Sequence, residues 1–264
     1  MNEERLSAES LLEKNKIDFI GVKEDMRLRP VDVAALALNA ALYAVLGYIL
    51  SAVLPLTTPG LGLVRFWPQV IIPAVFAVVF GPWVGGLGAG LGIFIADMLV
   101  HGNALLSLTA GVTSNFAMFT IIGYFSDKKI SWKLSAAGLG AVTALLVWMS
   151  FSILSPPDYG VGYQLLASGI IIASYLFYVA VLFLAPKWRS YATGCMLGLL
   201  TGSTIIGIVV PLVIQIPLVP ASLVYLLWTF VTEIPFLLIL GPPLIKAVNV
   251  AFPSLARNPK EKED

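Results

Sequence analysis

The chain has 264 residues, 58% hydrophobic and 12% charged, with a formal net charge of +1. A soluble domain is ~25% charged, so this composition excludes a solvated surface over most of the chain, and its hydrophobicity excludes disorder. The 16 Lys and Arg form no basic stripe, which leaves nucleic acid without a binding surface.

Residues 1–31 form a polar arm with 6 basic and 7 acidic residues. It has no apolar stretch of the kind a signal peptide needs, and it is too charged to insert. Ser10 ahead of Leu11 and Leu12 marks a helix start, so the arm reads as a solvated segment or as a docking helix for a cytoplasmic partner. Crossing a bilayer takes ~20 mostly apolar residues. Such runs fall at 32–53, 68–81, 82–100, 105–125, 133–154, 164–186, 190–216 and 221–246. The second is short and contains Pro73. Short loops join most of the runs, which predicts one all-α polytopic bundle over 32–246, followed by a polar tail at 247–264.

The basic residues test this count. With a cytoplasmic N-terminus, 15 of the 16 Lys and Arg fall on the inside, at the arm, the 126–133 and 187–190 loops and the tail, with Lys246 at the end of the last span. Arg65 alone lies outside. The positive-inside rule asks for this asymmetry. It predicts about eight spans in the cell membrane with both termini cytoplasmic; removing two spans together leaves the test unchanged, so six also satisfies it.

Apolar side chains do not drive helix association in lipid, where close packing by small residues takes over. The first run, ALALNAALYAVLG, repeats alanine at intervals of four, Ala37 with Ala41 and Ala40 with Ala44. That makes a smooth face, either for packing inside the bundle or for docking another membrane protein. In GPWVGGLGAGLG, Gly81 with Gly85, Gly86 with Gly90 and Gly88 with Gly92 recur at four, as do Gly194, Gly198 and Gly202. Internal helix contact is the expectation for both sets.

Ionisable groups at membrane depth are expensive and mark function by default. Asp97 stands four residues before His101, the only histidine, on the same helix face and within pairing reach. Glu233 lies mid-span just before Pro235, which frees a backbone carbonyl one turn earlier. Such a carboxyl needs a proton, a partner or water. Asn115 lies mid-span in the fourth run, where it makes an interhelical hydrogen bond or a ligand contact. The first outer loop, LPLTTPGLGLVRFWPQ at 54–69, has the prolines and glycines of a defined turn-rich path. Its Arg65 and Trp67 either mark the interface or bind a flat or anionic small molecule.

Several chemistries lack their residues. No glycine is followed by lysine, so there is no P-loop. One histidine and one cysteine, Cys195, cannot build a zinc site. Ser168 lacks the leading glycine of a nucleophile motif, and Asp97 and Glu233 are expected at different depths, against an aspartyl pair. Neither an enzyme nor a resident cofactor is expected.

The run RFWPQVIIPAVFAVVFGPWVGGLGAGLGIFIADML at 65–99 resembles the second and third helices of S components of energy-coupling factor transporters, the substrate-binding membrane subunits of a class of ABC importers. Ala37, Ala41 and Ala44 resemble that family's docking surface for the coupling transmembrane subunit. The loop with Pro59 and Gly60 resembles its lid over an outward-facing pocket, and EIPFLLILGPPLIKAV at 233–248 resembles its closing helix. The likeness implies capture of a vitamin or similar micronutrient at the outer face and energy from a coupling subunit and two ATPases. It places Arg65, Trp67, Asp97, Asn115 and Glu233 at the pocket. It also implies six spans, which assigns the surplus to a hairpin of 133–154 and 164–186. The alternatives are a self-contained secondary transporter with Glu233 or Asp97 as a proton site, and an intramembrane enzyme or scaffold.

Overall fold

The computed structural model describes residues 30–154 and 156–253, without the side chains of 156–160. The helix start at Ser10, the rest of the arm through 29 and the tail from 254 lie outside the described residues. Among those described there is no strand, and the architecture is an all-α bundle of apolar helices. The helices are α1 (Pro30–Val53), α2 (Ile71–Phe80, led in by a 3-10 turn at Pro68–Val70), α3 (Pro82–Val100), α4 (Ala104–Ser126), α5 (Trp132–Ile153), α6 (Pro156–Leu184), α7 (Arg189–Ile214) and α8 (Leu218–Ala251). Residues 30–31 and 247–251, expected in the arm and tail, instead extend α1 and α8.

Seven of these helices are long and apolar enough to cross a membrane, and Pro68–Phe80 is the shorter eighth. At ~1.5 Å per residue its helical run spans about two-thirds of a ~30 Å hydrocarbon core. The loop before it supplies the missing depth. Trp67 and Gln69 lie against Gly47, six residues short of the end of α1, so the chain descends into the bundle before α2 begins. Irregular backbone at that depth is tolerated where protein covers it. Gly81, at φ 106°, then turns α2 directly into α3.

Small residues set the close contacts, as their spacing predicts. On α3, a Cβ at Gly88 would overlap the Asn39 amide of α1, and one at Gly92 would lie 2.8 Å from the Ala40 carbonyl. Gly85 faces Ala77 of α2, while Gly86 faces Phe116 and Thr120 of α4. On α7, Gly194, Gly198 and Gly202 lie against the α4 backbone from Ser114 to Ile122. The glycines of α3 thus let α1, α2 and α4 approach it closely, where dispersion contacts replace the absent hydrophobic drive.

Large side chains at the centre, Tyr43, Phe119, Leu199 and Ile234 among them, are fully buried, whereas Leu134, Leu166 and Leu184 stand exposed on the outer wall. That outer surface suits hydrocarbon and not water.

Among the described residues, the α5–α6 hairpin packs on α7 and α8 and makes no substantial contact with the helices α1 to α4. Tyr178 shares a hydrogen bond with Thr193 of α7 at 2.9 Å, and the Tyr163 hydroxyl donates to the Val224 carbonyl of α8 at 3.2 Å. The remaining six helices form the core of the bundle.

The alanine face of α1 is corrected at one position. Ala37 and Ala41 are exposed, but Ala44 is 3% exposed and belongs to the interior face with Asn39, Tyr43 and Gly47. The outward small-residue strip consists of Ala34, Ala37 and Ala41.

Candidate functional site

The loop between α1 and α2 folds as a short hairpin-like flap. Thr57 and Arg65 form an antiparallel bridge. The Thr58 hydroxyl donates to the Val64 carbonyl at 3.0 Å, and the Phe66 amide donates to the Leu56 carbonyl at 2.8 Å. Gly60 and Gly62 take positive φ at its tip, and Leu63 does so too, at 65°. The defined path expected from its prolines and glycines is present.

A cavity of about 80 Å³ lies beneath this flap. Arg65, Trp67, Asp97, Asn115 and Glu233, drawn from the flap and from α3, α4 and α8, all line it. Apolar groups of the flap and of α3, α4 and α7, such as Val64, Ile93, Ile206 and Val210, complete the wall. Among the described residues, none from α5 or α6 lines it. Asp97 and Glu233, expected at different depths, both line this cavity: α8 contributes a mid-helix carboxyl and α3 one near its end.

Asp97 is the hub of one side. Its Oδ1 accepts a hydrogen bond from Arg65 Nη2 at 2.7 Å, and its Oδ2 accepts from the Ser107 hydroxyl at 2.8 Å. His101 Nε2 lies 3.3 Å from Oδ1, as the i,i+4 spacing predicts. His101 Nδ1 accepts the Asn103 amide at 3.0 Å, which leaves the proton on Nε2 to face the carboxylate. The Arg65 guanidinium also rests 4.9 Å from the Trp67 ring centre, a cation–π distance.

A second network runs through Tyr43. Trp67 Nε1 donates to the Tyr43 hydroxyl at 2.8 Å, which donates to Asn115 Oδ1 at 2.6 Å. Asn115 Nδ2 donates to the Gly111 carbonyl at 2.9 Å. Each hydroxyl in such a chain polarises the next bond. Asn115 thus makes the interhelical bond that its depth suggested, and it also faces the cavity. A π-helical stretch of α4, Ser107–Val112, carries Ala110 and Gly111 to the wall and Ser107 to Asp97. Such bulges inside helices frequently occur at functional sites.

Two polar atoms of the lining residues are left over. Arg65 Nε and Glu233 Oε2 are buried with no hydrogen-bond partner among the described residues. Glu233 is 4% exposed. One is a donor and the other belongs to a carboxyl, so the cavity holds unmet capacity of both kinds.

Tyr43 and Ser107 were missed by the sequence reading. Tyr43 had a signal: it follows Asn39 by four and precedes Gly47 by four, on one helix face. Ser107 had none, because its partner depends on the π-helical turn.

Among the described residues no group of three or more His, Cys, Asp or Glu is placed to hold a metal ion. No family model, curated protein or solved structure matches the chain. The bundle is that of a multi-pass membrane protein, a form compatible with transport.

Proposed function

We propose that this chain is the substrate-binding membrane subunit of an ECF-type importer. It captures a vitamin or similar micronutrient from the outer side and takes its energy from a coupling transmembrane subunit and two partner ATPases. The observation that carries this is the convergence of Arg65, Trp67, Asp97, Asn115 and Glu233 on one cavity under the α1–α2 flap. The flap faces away from the end that holds Lys128, Lys129, Lys133, Lys187, Arg189 and Lys246. By the positive-inside rule those cations lie in the cytoplasm and the cavity opens outward.

The cavity has room for a handful of waters, at ~10–15 Å³ each. An ordinary small-molecule pocket has ~300–1,000 Å³. Capture therefore includes an outward movement of the flap. The polar and ring contacts of the flap are Arg65 to Asp97, Trp67 to Tyr43, and Phe66 edge-on to Phe236 at 5.7 Å, while Leu61 and Val64 pack on the buried clusters below. Its own internal hydrogen bonds let it move as one piece. The ligand that fits offers an acceptor to Arg65 Nε and a donor or cationic group to Glu233, with an apolar body between them. No catalytic step is part of this function.

The outward strip of Ala34, Ala37 and Ala41 is the docking face for the coupling subunit. A helix with only methyl groups on one side lets another backbone come close. Co-expression with a coupling subunit and its ATPases tests the proposal: the chain should purify in that complex, and mass spectrometry of the denatured complex should release a micronutrient. Isolation of the chain alone, free of any small molecule, would overturn it.

A proton-coupled secondary transporter is the second reading, favoured by the unpartnered Oε2 of Glu233 at membrane depth. Uptake into vesicles that needs no ATPase and stops when the proton gradient is collapsed would establish it instead.

A further inference from the structure

At the end of the bundle opposite the flap, α5 and α7 start side by side and leave a gap. Gly138 stands on the open side of it, where an added Cβ would meet nothing within 4 Å. The gap is a groove of about 280 Å³, walled by Leu139 and Val142 of α5 and by Leu197 and Leu200 of α7. Thr193, at its start, has its hydroxyl engaged by Tyr178 at 2.9 Å. The groove therefore offers carbon to whatever enters it from the outer wall.

Cations gather at the same end. Trp132 lies one turn before Ser135, the first groove residue on α5. Lys133 Nζ stands 5.7 Å and Arg189 Cζ 5.0 Å from the centre of its ring. The Ser190 hydroxyl donates to the Lys128 carbonyl at 2.6 Å, which joins the α4–α5 loop to the start of α7. Across 126–133 and 185–190 there are five basic residues and one acid, Asp127.

We propose that this corner binds an anionic phospholipid, with its phosphate at Lys133, Lys187 and Arg189 and one acyl chain in the α5–α7 groove. An apolar groove in a wall that faces hydrocarbon is filled by hydrocarbon, because water there would lack hydrogen-bond partners. Cations at the edge of the hydrocarbon attract anionic headgroups over neutral ones. A tryptophan ring between the cations sits at the headgroup level that suits it. The lipid fills the space between the appended hairpin and the core, so it clamps α5 to α7. The site is separate from the flap cavity and does not depend on what that cavity holds.

The test uses the full chain in nanodiscs of phosphatidylcholine alone and of phosphatidylcholine with phosphatidylglycerol, alongside native mass spectrometry of lipids retained through detergent. Phosphatidylglycerol should raise the thermal midpoint and be retained over phosphatidylcholine several-fold. Lys133→Gln with Lys187→Gln should remove the preference for the anionic lipid. Gly138→Leu should fill the groove and remove retention, with its midpoint in phosphatidylcholine no lower than that of the native chain. Equal retention of the two lipids by the native chain would overturn the proposal, as would undiminished retention by Gly138→Leu. Should either variant be unstable, a phosphatidylglycerol carrying a photoreactive acyl chain decides the matter on the native chain. Label on α5 and α7 supports the site, and label elsewhere overturns it.

Discussion

Arg65 and Asp97 stand 32 residues apart in sequence and 2.7 Å apart in space, and their ion pair ties the α1–α2 flap to the end of α3. Both side chains are largely buried, at 12% and 9% exposure. Breaking a buried pair from one side leaves the other charge uncompensated. A thermal-unfolding cycle of Arg65→Ala, Asp97→Ala and the double variant should give a coupling of about 1–3 kcal/mol. Coupling near zero would show that the pair does not hold the flap.

Tyr43→Phe removes one oxygen that serves two partners. Trp67 Nε1 loses its acceptor and Asn115 Oδ1 loses its donor. An unmet buried group costs about 1–3 kcal/mol, so the variant should unfold at a clearly lower temperature. Tyr48→Phe, on the exposed side of the same helix, should leave the midpoint where it is.

Ala41→Leu and Ala44→Leu should fail differently. Ala41 is exposed, so its variant should fold and insert normally while losing the coupling subunit in a pull-down. Ala44 is buried at 3% exposure, and overpacking there should cost about 1–3 kcal/mol in the isolated chain. Retention of the complex by Ala41→Leu would remove the strip as a docking face.

Glu233→Gln keeps the shape and replaces the carboxyl of a side chain with an unpartnered oxygen by an amide. The fold should tolerate it, with a thermal midpoint at or above the native one. The small molecule released from the purified complex should fall at least tenfold. Undiminished release would take Glu233 out of the site. Asn115→Ala should likewise weaken uptake with normal membrane insertion, and unchanged ligand affinity would remove Asn115 in turn.

Gly88→Ala should separate α1 from α3, because its Cβ would overlap the Asn39 amide, which donates to the Val84 carbonyl at 3.1 Å. A loss of about 1–3 kcal/mol follows from forcing volume into a packed contact. Gly138→Ala, in open space, should lose nothing. Equal midpoints for the two variants would mean that Gly88 is not a close contact between α1 and α3.

Much of the fold was legible in the chain. The apolar runs predicted each helix to within a few residues at most ends, though the sixth begins eight residues earlier than its run. The glycine repeats of α3 and α7 predicted close contact, and every one of those from Gly85 onward meets a neighbouring helix. The five polar and aromatic residues chosen for the site share one cavity. Tyr43 was overlooked because a lone tyrosine in an apolar run reads as packing until its hydroxyl has partners. Ala44 was misplaced because two overlapping alanine repeats on α1 serve opposite faces.

The sequence by itself determined which segments enter the membrane and where the cations gather. Hydrocarbon accepts only long apolar runs that satisfy their own backbone, and it rejects charge, so both properties are written locally along the chain. Only the tertiary structure decided which side of each helix turns inward, that Glu233 and Asp97 face one cavity, and that the flap descends to meet them. Helical periodicity relates residues on a single helix, whereas the rotation and depth of one helix against another arise from packing between segments distant in sequence.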